Sequence, residues 1–195
     1  MSKRKSPRKK KTPKKTSSDK TADEVVRMFE ECEKQKKRVK HLSESIWRKL
    51  HQKQIGQTCQ IITALNAACV LTKGKRVIEL ASNRFQHLVD IAGARFGAAI
   101  SVKKVHEYLE IAVIREYQSI HECWEFPFEL NVWHKAHGFH SVCVVDYEWH
   151  TEAYRITNFD KATNLRGWIF YEDLQHYIRH GGKIPACRSF KLISK

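Results

Sequence analysis

A thiol and an imidazole held together make a nucleophile, and two blocks of this chain offer that pair. Gln57-Thr58-Cys59-Gln60-Ile61-Ile62-Thr63-Ala64-Leu65-Asn66 sets a cysteine where a helical apolar period begins. Gly138-Phe139-His140-Ser141-Val142-Cys143-Val144-Val145-Asp146-Tyr147 sets a histidine at the head of an alternating strand. A cysteine attacks as the thiolate, whose formation is favoured at a helix N-terminus or beside an imidazolium. Of Cys32, Cys59, Cys69, Cys123, Cys143 and Cys187, only Cys59 has that setting, since Cys69 lies on an apolar stripe and Cys123 and Cys143 lie in strand-like sequence. His140 shares a strand face with Val142 and Val144, so its ring should project with them toward whichever helix packs there. If that helix carries Cys59, nucleophile and base meet. Asn158, in Tyr154-Arg155-Ile156-Thr157-Asn158-Phe159-Asp160, is the polar third member that could orient the ring, with Asp160 the alternative. Taken singly, each residue has a plainer reading: a helix-start cysteine commonly just packs, and an asparagine at a strand end commonly makes a turn. The inference rests on their order and context together.

The elements that must position these residues run helices first and strands second. Thr21-Ala22-Asp23-Glu24 has a capping-box pattern, and Val25, Val26, Phe29 and Cys32 follow at helical spacing, so a charged helix is expected to run to Lys40. A short helical piece is expected over Ser43 to Leu50. A polar stretch from His51 to Gln57 then leads into the helix carrying Cys59, with Ile61, Ala64, Leu65, Ala68 and Cys69 on a core-facing stripe that ends near Lys73-Gly74. Phe85 to Ile91 and Val102 to Leu109 read as two more helices. From Ile111 the period changes, with alternation from Phe126 to Val132 and from Val142 to Tyr147, β-type residues at Tyr154 to Thr157, a strand at Trp168 to Tyr171, and a helix from Glu172 to Arg179. That order is α+β.

With 195 residues, 42% of them hydrophobic, the chain can bury one real core. It contains no apolar run long enough to span a membrane, and its basic N-terminus is not followed by an apolar signal segment, so a soluble intracellular protein with reduced thiols is expected. The net charge of +15 is uneven, because ten of the first twenty residues are Lys or Arg and only Asp19 opposes them. Residues 1–20 hold no aliphatic side chain beyond Met1 and are expected to be a disordered tail. The remaining chain is expected to divide into a charged helical segment, 21–46, and a globular domain, 47–195. Ser6-Pro7-Arg8-Lys9 and Thr12-Pro13-Lys14-Lys15 repeat a pattern that resembles the SPKK motifs of linker-histone tails. Lys9, Lys10, Lys11, Lys14 and Lys15 present clustered cations suited to phosphates or to an import receptor, which points to the nucleus.

Around Cys59 and His140 the sequence resembles the papain-like cysteine peptidases, in particular a compact, divergent member. Cys59 is followed by Ala64-Leu65-Asn66, and His140 by alternating aliphatics and Tyr147, with Asp146 where the family usually has Gly. Tyr154-Arg155-Ile156-Thr157-Asn158 resembles the aromatic strand that ends in the third member, and Trp168-Ile169-Phe170-Tyr171-Glu172-Asp173-Leu174 the closing strand and helix. The resemblance implies a helical half that carries the Cys helix, packed on a C-terminal antiparallel sheet. It implies Cys59 as nucleophile, His140 as general base and acid, and Asn158 as the group orienting the imidazole. It further implies an oxyanion held by the Cys59 N–H and a Gln side chain, Gln52 or, close behind, Gln54. The substrate would be a peptide or protein, with no cofactor. Asn158-Phe159-Asp160-Lys161 stands where many members have Asn-Ser-Trp-Gly, which keeps a second reading open: a non-catalytic papain-like module that binds chromatin or a protein partner. Removal of ubiquitin-like modifiers is a third, which nothing in the sequence favours over ordinary peptides. His134, His137, His140 and Cys143 recur every third residue and, with Cys123, raise the question of zinc. Residues three apart on a strand point to opposite faces, however, and the paired Cys-x-x-Cys spacing is missing, so no metal is expected.

Overall fold

Residues 17–36, 39–94, 101–134, 138–159, 167–178 and 185–193 are described by a computed structural model. The chain divides into two units, Met1–Lys37 and Arg38–Lys195. In the first, α1 (Ser17–Lys36) begins ahead of Thr21, so Ser17 to Lys20 are helical rather than part of an unstructured tail, and the helix stops short of the expected Lys40.

The second unit holds α2 (Glu44–Trp47), α3 (Cys59–Leu71), α4 (Asn83–Ala92), α5 (Val102–Tyr108), β1 (Ile111–Tyr117), β2 (Phe128–His134), β3 (Gly138–Glu148), β4 (Ala153–Thr157), β5 (Trp168–Phe170), α6 (Tyr171–Leu174) and β6 (Cys187–Leu192). It is α+β, a helical half and a six-stranded antiparallel sheet in the order β1-β6-β2-β3-β4-β5. One of these strands lacks a clear local pattern. β6 comes last in the chain yet pairs with both β1 and β2, a long-range insertion that no local period announces. α6 is a single turn, shorter than the helix expected to reach Arg179. Among the described residues no helix is long and apolar enough to cross a membrane.

α3 organises this unit. Every residue from Ile61 to Cys69 is buried, so the helix is enclosed on all sides, with β3 against one flank and α4 and α5 against others, rather than presenting a single core stripe. Thr63 and Asn66 are thereby trapped inside and must find polar partners. α4 is bounded as local chemistry dictates: the Ser82 hydroxyl accepts from Phe85 N, and Gly93, at φ 74, closes the C-terminus in the left-handed region.

β3 divides the interior into two cores. Cys143 and Val145 pack with α3, α4 and α5, whereas Val142 and Val144 pack on the opposite face with Phe128, Leu130, Tyr154 and Ile156. The face shared by His140, Val142 and Val144 is therefore not the one covered by α3, contrary to the expectation from alternation.

The stretch ahead of α3 belongs to this unit, which moves the expected boundary at 46/47 back to Arg38. The buried Asp146 carboxylate accepts from the His41 Nδ1 at 3.0 Å and from the Leu42 N–H at 2.9 Å. The buried Arg155 donates to Glu44 Oε1 at 2.7 Å, and its guanidinium lies 4.1 Å from the Trp47 ring centroid. Gly167 makes room for that indole. At φ +74, a Cβ there would run into the Trp47 ring and sit 2.8 Å from the Ile156 carbonyl oxygen.

Candidate active site

Cys59 opens α3, preceded by Thr58 at the N-cap. The Thr58 hydroxyl does not cap the helix. It donates to the Ile55 carbonyl at 2.7 Å, which pins the turn before the cysteine and leaves the first-turn N–H groups to other acceptors. Around the Cys59 sulfur stand the backbone N–H groups of Ser141, across the fold, and of Gln60 and Cys59 at the start of the helix, all of which favour its thiolate. Burial pushes the thiol up from its ordinary value, these N–H groups pull it down, the Glu129 carboxylate pushes it up, and the net direction is up. Cys59 is half-buried, while Cys69, Cys123, Cys143 and Cys187 are all buried.

Strand register explains why Ser141 can reach the sulfur. Asn131, its partner on β2, sends its N–H to the Ala186 carbonyl at 2.9 Å, away from β3. The Asn131–Ser141 pair is thus a non-hydrogen-bonded one, and the Ser141 N–H points to the β4 side. There β4 has already ended: Thr157 pairs with Cys143, and Asn158 turns the chain aside at φ 58. Cys59 meets β3 in the gap this leaves. The helix N-terminus approaches the edge of the strand rather than the face that carries Val142 and Val144.

His140 precedes Ser141, and its Nε2 lies 2.7 Å from the main-chain oxygen of Asn158. A carbonyl only accepts, so Nε2 carries the hydrogen in the neutral ring and Nδ1 is the basic nitrogen. The Asn158 side chain is directed elsewhere, its Nδ2 donating to Gln54 Oε1 at 3.2 Å. Asn158 therefore orients the imidazole through its backbone, not through the side chain that the triad expectation invoked.

Of the two glutamines, Gln54 joins this site. Its own Nε2 donates to the Gly56 carbonyl at 3.1 Å. Gln52 is exposed, its amide lies 3.5 Å from the Leu50 carbonyl, and it makes no hydrogen bond to Cys59, His140 or Asn158. The loop between α2 and α3 carries both, and its shape, not the residue count to Cys59, decides which one arrives. Asp160, His137 and the tail cations Lys9, Lys10, Lys11, Lys14 and Lys15 lie outside the described residues. Cys123 and Cys143 belong to different cores, and among the described residues no group of three His, Cys, Asp or Glu side chains is placed to hold a metal ion.

Two supports were not singled out for any role in the sequence. Asn66, fully buried in α3, accepts from the His51 N–H at 2.8 Å, donates to the His51 carbonyl at 2.9 Å and donates to Thr157 Oγ1 at 2.8 Å. It thereby joins the glutamine loop, the Cys helix and the end of β4 next to Asn158. The His51 ring nitrogen Nε2 meets the Ile78 carbonyl at 2.8 Å, and burial holds the ring's pKa below the ordinary histidine range despite that bond. The second support is Glu129 on β2, only 2% exposed, whose Oε1 accepts from the Ser141 hydroxyl at 2.6 Å. Its Oε2 lies 3.5 Å from Arg188 Nη1, too far for a good hydrogen bond but within ion-pair range, and Arg188 also donates to Glu116 at 2.8 Å. A lone Asn in an apolar helix signals such a buried clamp. Glu129 gave no comparable signal, because a charge between Phe128 and Leu130 reads as the solvent face of a strand, and here α3 covers that face.

No protein-family model matches the chain, and no curated protein matches it.

Proposed function

We propose that this chain is a papain-like thiol hydrolase acting on peptides or proteins, with Cys59 as nucleophile and His140 as general base and acid. The observation that carries the reading is the convergence at the edge of β3, where the Ser141 N–H stands by the Cys59 sulfur and the adjacent His140 donates through Nε2 to the Asn158 carbonyl at 2.7 Å. In the proposed reaction the sulfur bonds to the substrate carbonyl carbon as its proton passes to His140 Nδ1. The Cys59 N–H, at the start of α3, receives the developing oxyanion. The tetrahedral species collapses to a thioester as the amine leaves with the proton from His140. Water then attacks the thioester, gives its proton to Nδ1, and the thiol is restored as the carboxylic acid departs.

A specific observation favours a second reading, the non-catalytic binding module. Both ends of the Gln54 amide are engaged, with the Gly56 carbonyl and the Asn158 side chain, rather than turned toward a substrate oxygen. Labelling at low concentrations of iodoacetamide or an epoxide, followed by peptide mapping, separates the two. The hydrolase reading expects Cys59 to be modified ahead of the other five cysteines. Modification of Cys59 no faster than the rest supports the binding module. In either case we propose that the basic tail carries the domain to nucleic acid or an import receptor, an association that must weaken steeply with salt.

A further inference from the structure

We propose that a cavity formed away from Cys59 binds a small phosphate monoester with an apolar or aromatic body. The cavity measures about 280 Å³ and lies between the middle of α3, the strand-like stretch after it, the first turn of α4 and the corner joining α5 to β1. That is just below the usual range of small-ligand sites, which suits a ligand of few atoms.

Its lining is divided by function. Leu65, Ala68 and Ile78 give an apolar floor that is buried in the core. Arg76 is held in place, donating to the Leu109 carbonyl and to the Glu110 carboxylate, so its charge is already matched and it forms a fixed wall. Lys75 and Arg84 also line the cavity, and among the described residues neither side chain has an ion-pair or hydrogen-bond partner. Tyr108 completes the rim, 39% exposed, its ring 5.3 Å from the His87 ring.

Because Arg76 matches the Glu110 carboxylate that also lines the cavity, Lys75 and Arg84, beside a small apolar floor, leave its potential positive. A phosphate monoester carries nearly two negative charges at neutral pH and matches both, whereas a monocarboxylate matches one. Arg84 offers a planar fork to two phosphate oxygens and Lys75 a mobile point charge. The ester's organic group then lies on Leu65, Ala68 and the Tyr108 ring. None of these residues belongs to the Cys59 site, so the inference stands whether or not Cys59 is catalytic.

Titration calorimetry of the full chain with phenyl phosphate, benzoate and a short single-stranded oligonucleotide tests this. Saturable binding of phenyl phosphate, tighter than benzoate, is expected. A K75Q/R84Q variant, which alters only two exposed side chains, should weaken it at least tenfold, and a variant with Lys9, Lys10, Lys11, Lys14 and Lys15 changed to Gln should leave it intact. The proposal is overturned if phenyl phosphate does not saturate, if K75Q/R84Q binds it unchanged, if the tail variant abolishes binding, or if only the oligonucleotide binds.

Discussion

The Nε2 of His140 stands 2.7 Å from the main-chain oxygen of Asn158, while the Asn158 side chain donates to Gln54. The imidazole is thus oriented by a backbone group whose position depends on the left-handed turn at φ 58. Glycine adopts that conformation without strain.

N158G should therefore keep the carbonyl in place. Its rate of Cys59 alkylation by iodoacetamide at neutral pH should stay within about tenfold of wild type, well inside the 100-fold or larger losses that follow removal of a general base. Its stability should fall by about 1 kcal/mol for the lost hydrogen bond to Gln54. A loss in N158G equal to that from replacing His140 itself would show that the side chain, not the carbonyl, does the orienting.

Glu129 places a buried negative charge close to Cys59, behind Ser141. E129Q keeps an acceptor for the Ser141 hydroxyl but removes the charge, so the thiolate becomes easier to form. The pH midpoint of Cys59 alkylation should move down in E129Q. The Cys143 thiol, fully buried and pushed up chiefly by burial, should remain unmodified in both proteins. An unchanged or raised midpoint would remove Glu129 from the electrostatics of the thiol.

Asn66 holds the His51 backbone in both directions and reaches Thr157 at the end of β4. N66A leaves those buried groups without partners, at a cost of about 3 kcal/mol. Urea unfolding should show that loss as a lower midpoint with an unchanged slope. Because the clamp also positions the glutamine loop, Cys59 alkylation should slow under conditions where the variant is still folded.

His106 packs edge-on against Phe190 at 5.3 Å, and burial, assisted by the nearby Arg188, lowers its pKa from 6.5 to about 4. Between those values the unfolded chain binds a proton that the folded chain refuses, so stability is fully present above pH 6.5 and is lost as pH falls toward 4. His51, also lowered by burial, acts in the same direction. Urea midpoints measured from pH 7 to pH 4 should fall, and H106Q should flatten part of that slope.

The parts of this fold that declare themselves locally are those where one periodicity meets one kind of surface. Cys59 at the head of an apolar run, the alternation of β3 and the capped α4 are of that kind. Asn66 was visible as a residue but not as a clamp, since its partners lie in a loop before it and a strand far after it. The face relation was misread because alternation says which residues share a side, not which side the helix takes. His140 shares its face with Val142 and Val144, yet α3 covers Ser141, Cys143 and Val145, and the site forms at the strand edge where β4 departs. That departure depends on a positive φ at an asparagine, a residue that tolerates the left-handed region without requiring it. β6 was hidden for a different reason: its place between β1 and β2 is decided by pairing across most of the domain.

The central claim is that Cys59 and His140 form one chemical unit. Its most direct test is the pH dependence of Cys59 alkylation in wild type and H140Q, followed by peptide mapping. Burial, with the Glu129 charge, raises the Cys59 thiol, so without His140 to take its proton the neutral-pH rate in H140Q should fall at least tenfold and climb only at alkaline pH, whereas wild type should react readily near neutrality. Superimposable pH profiles for the two proteins would contradict the account.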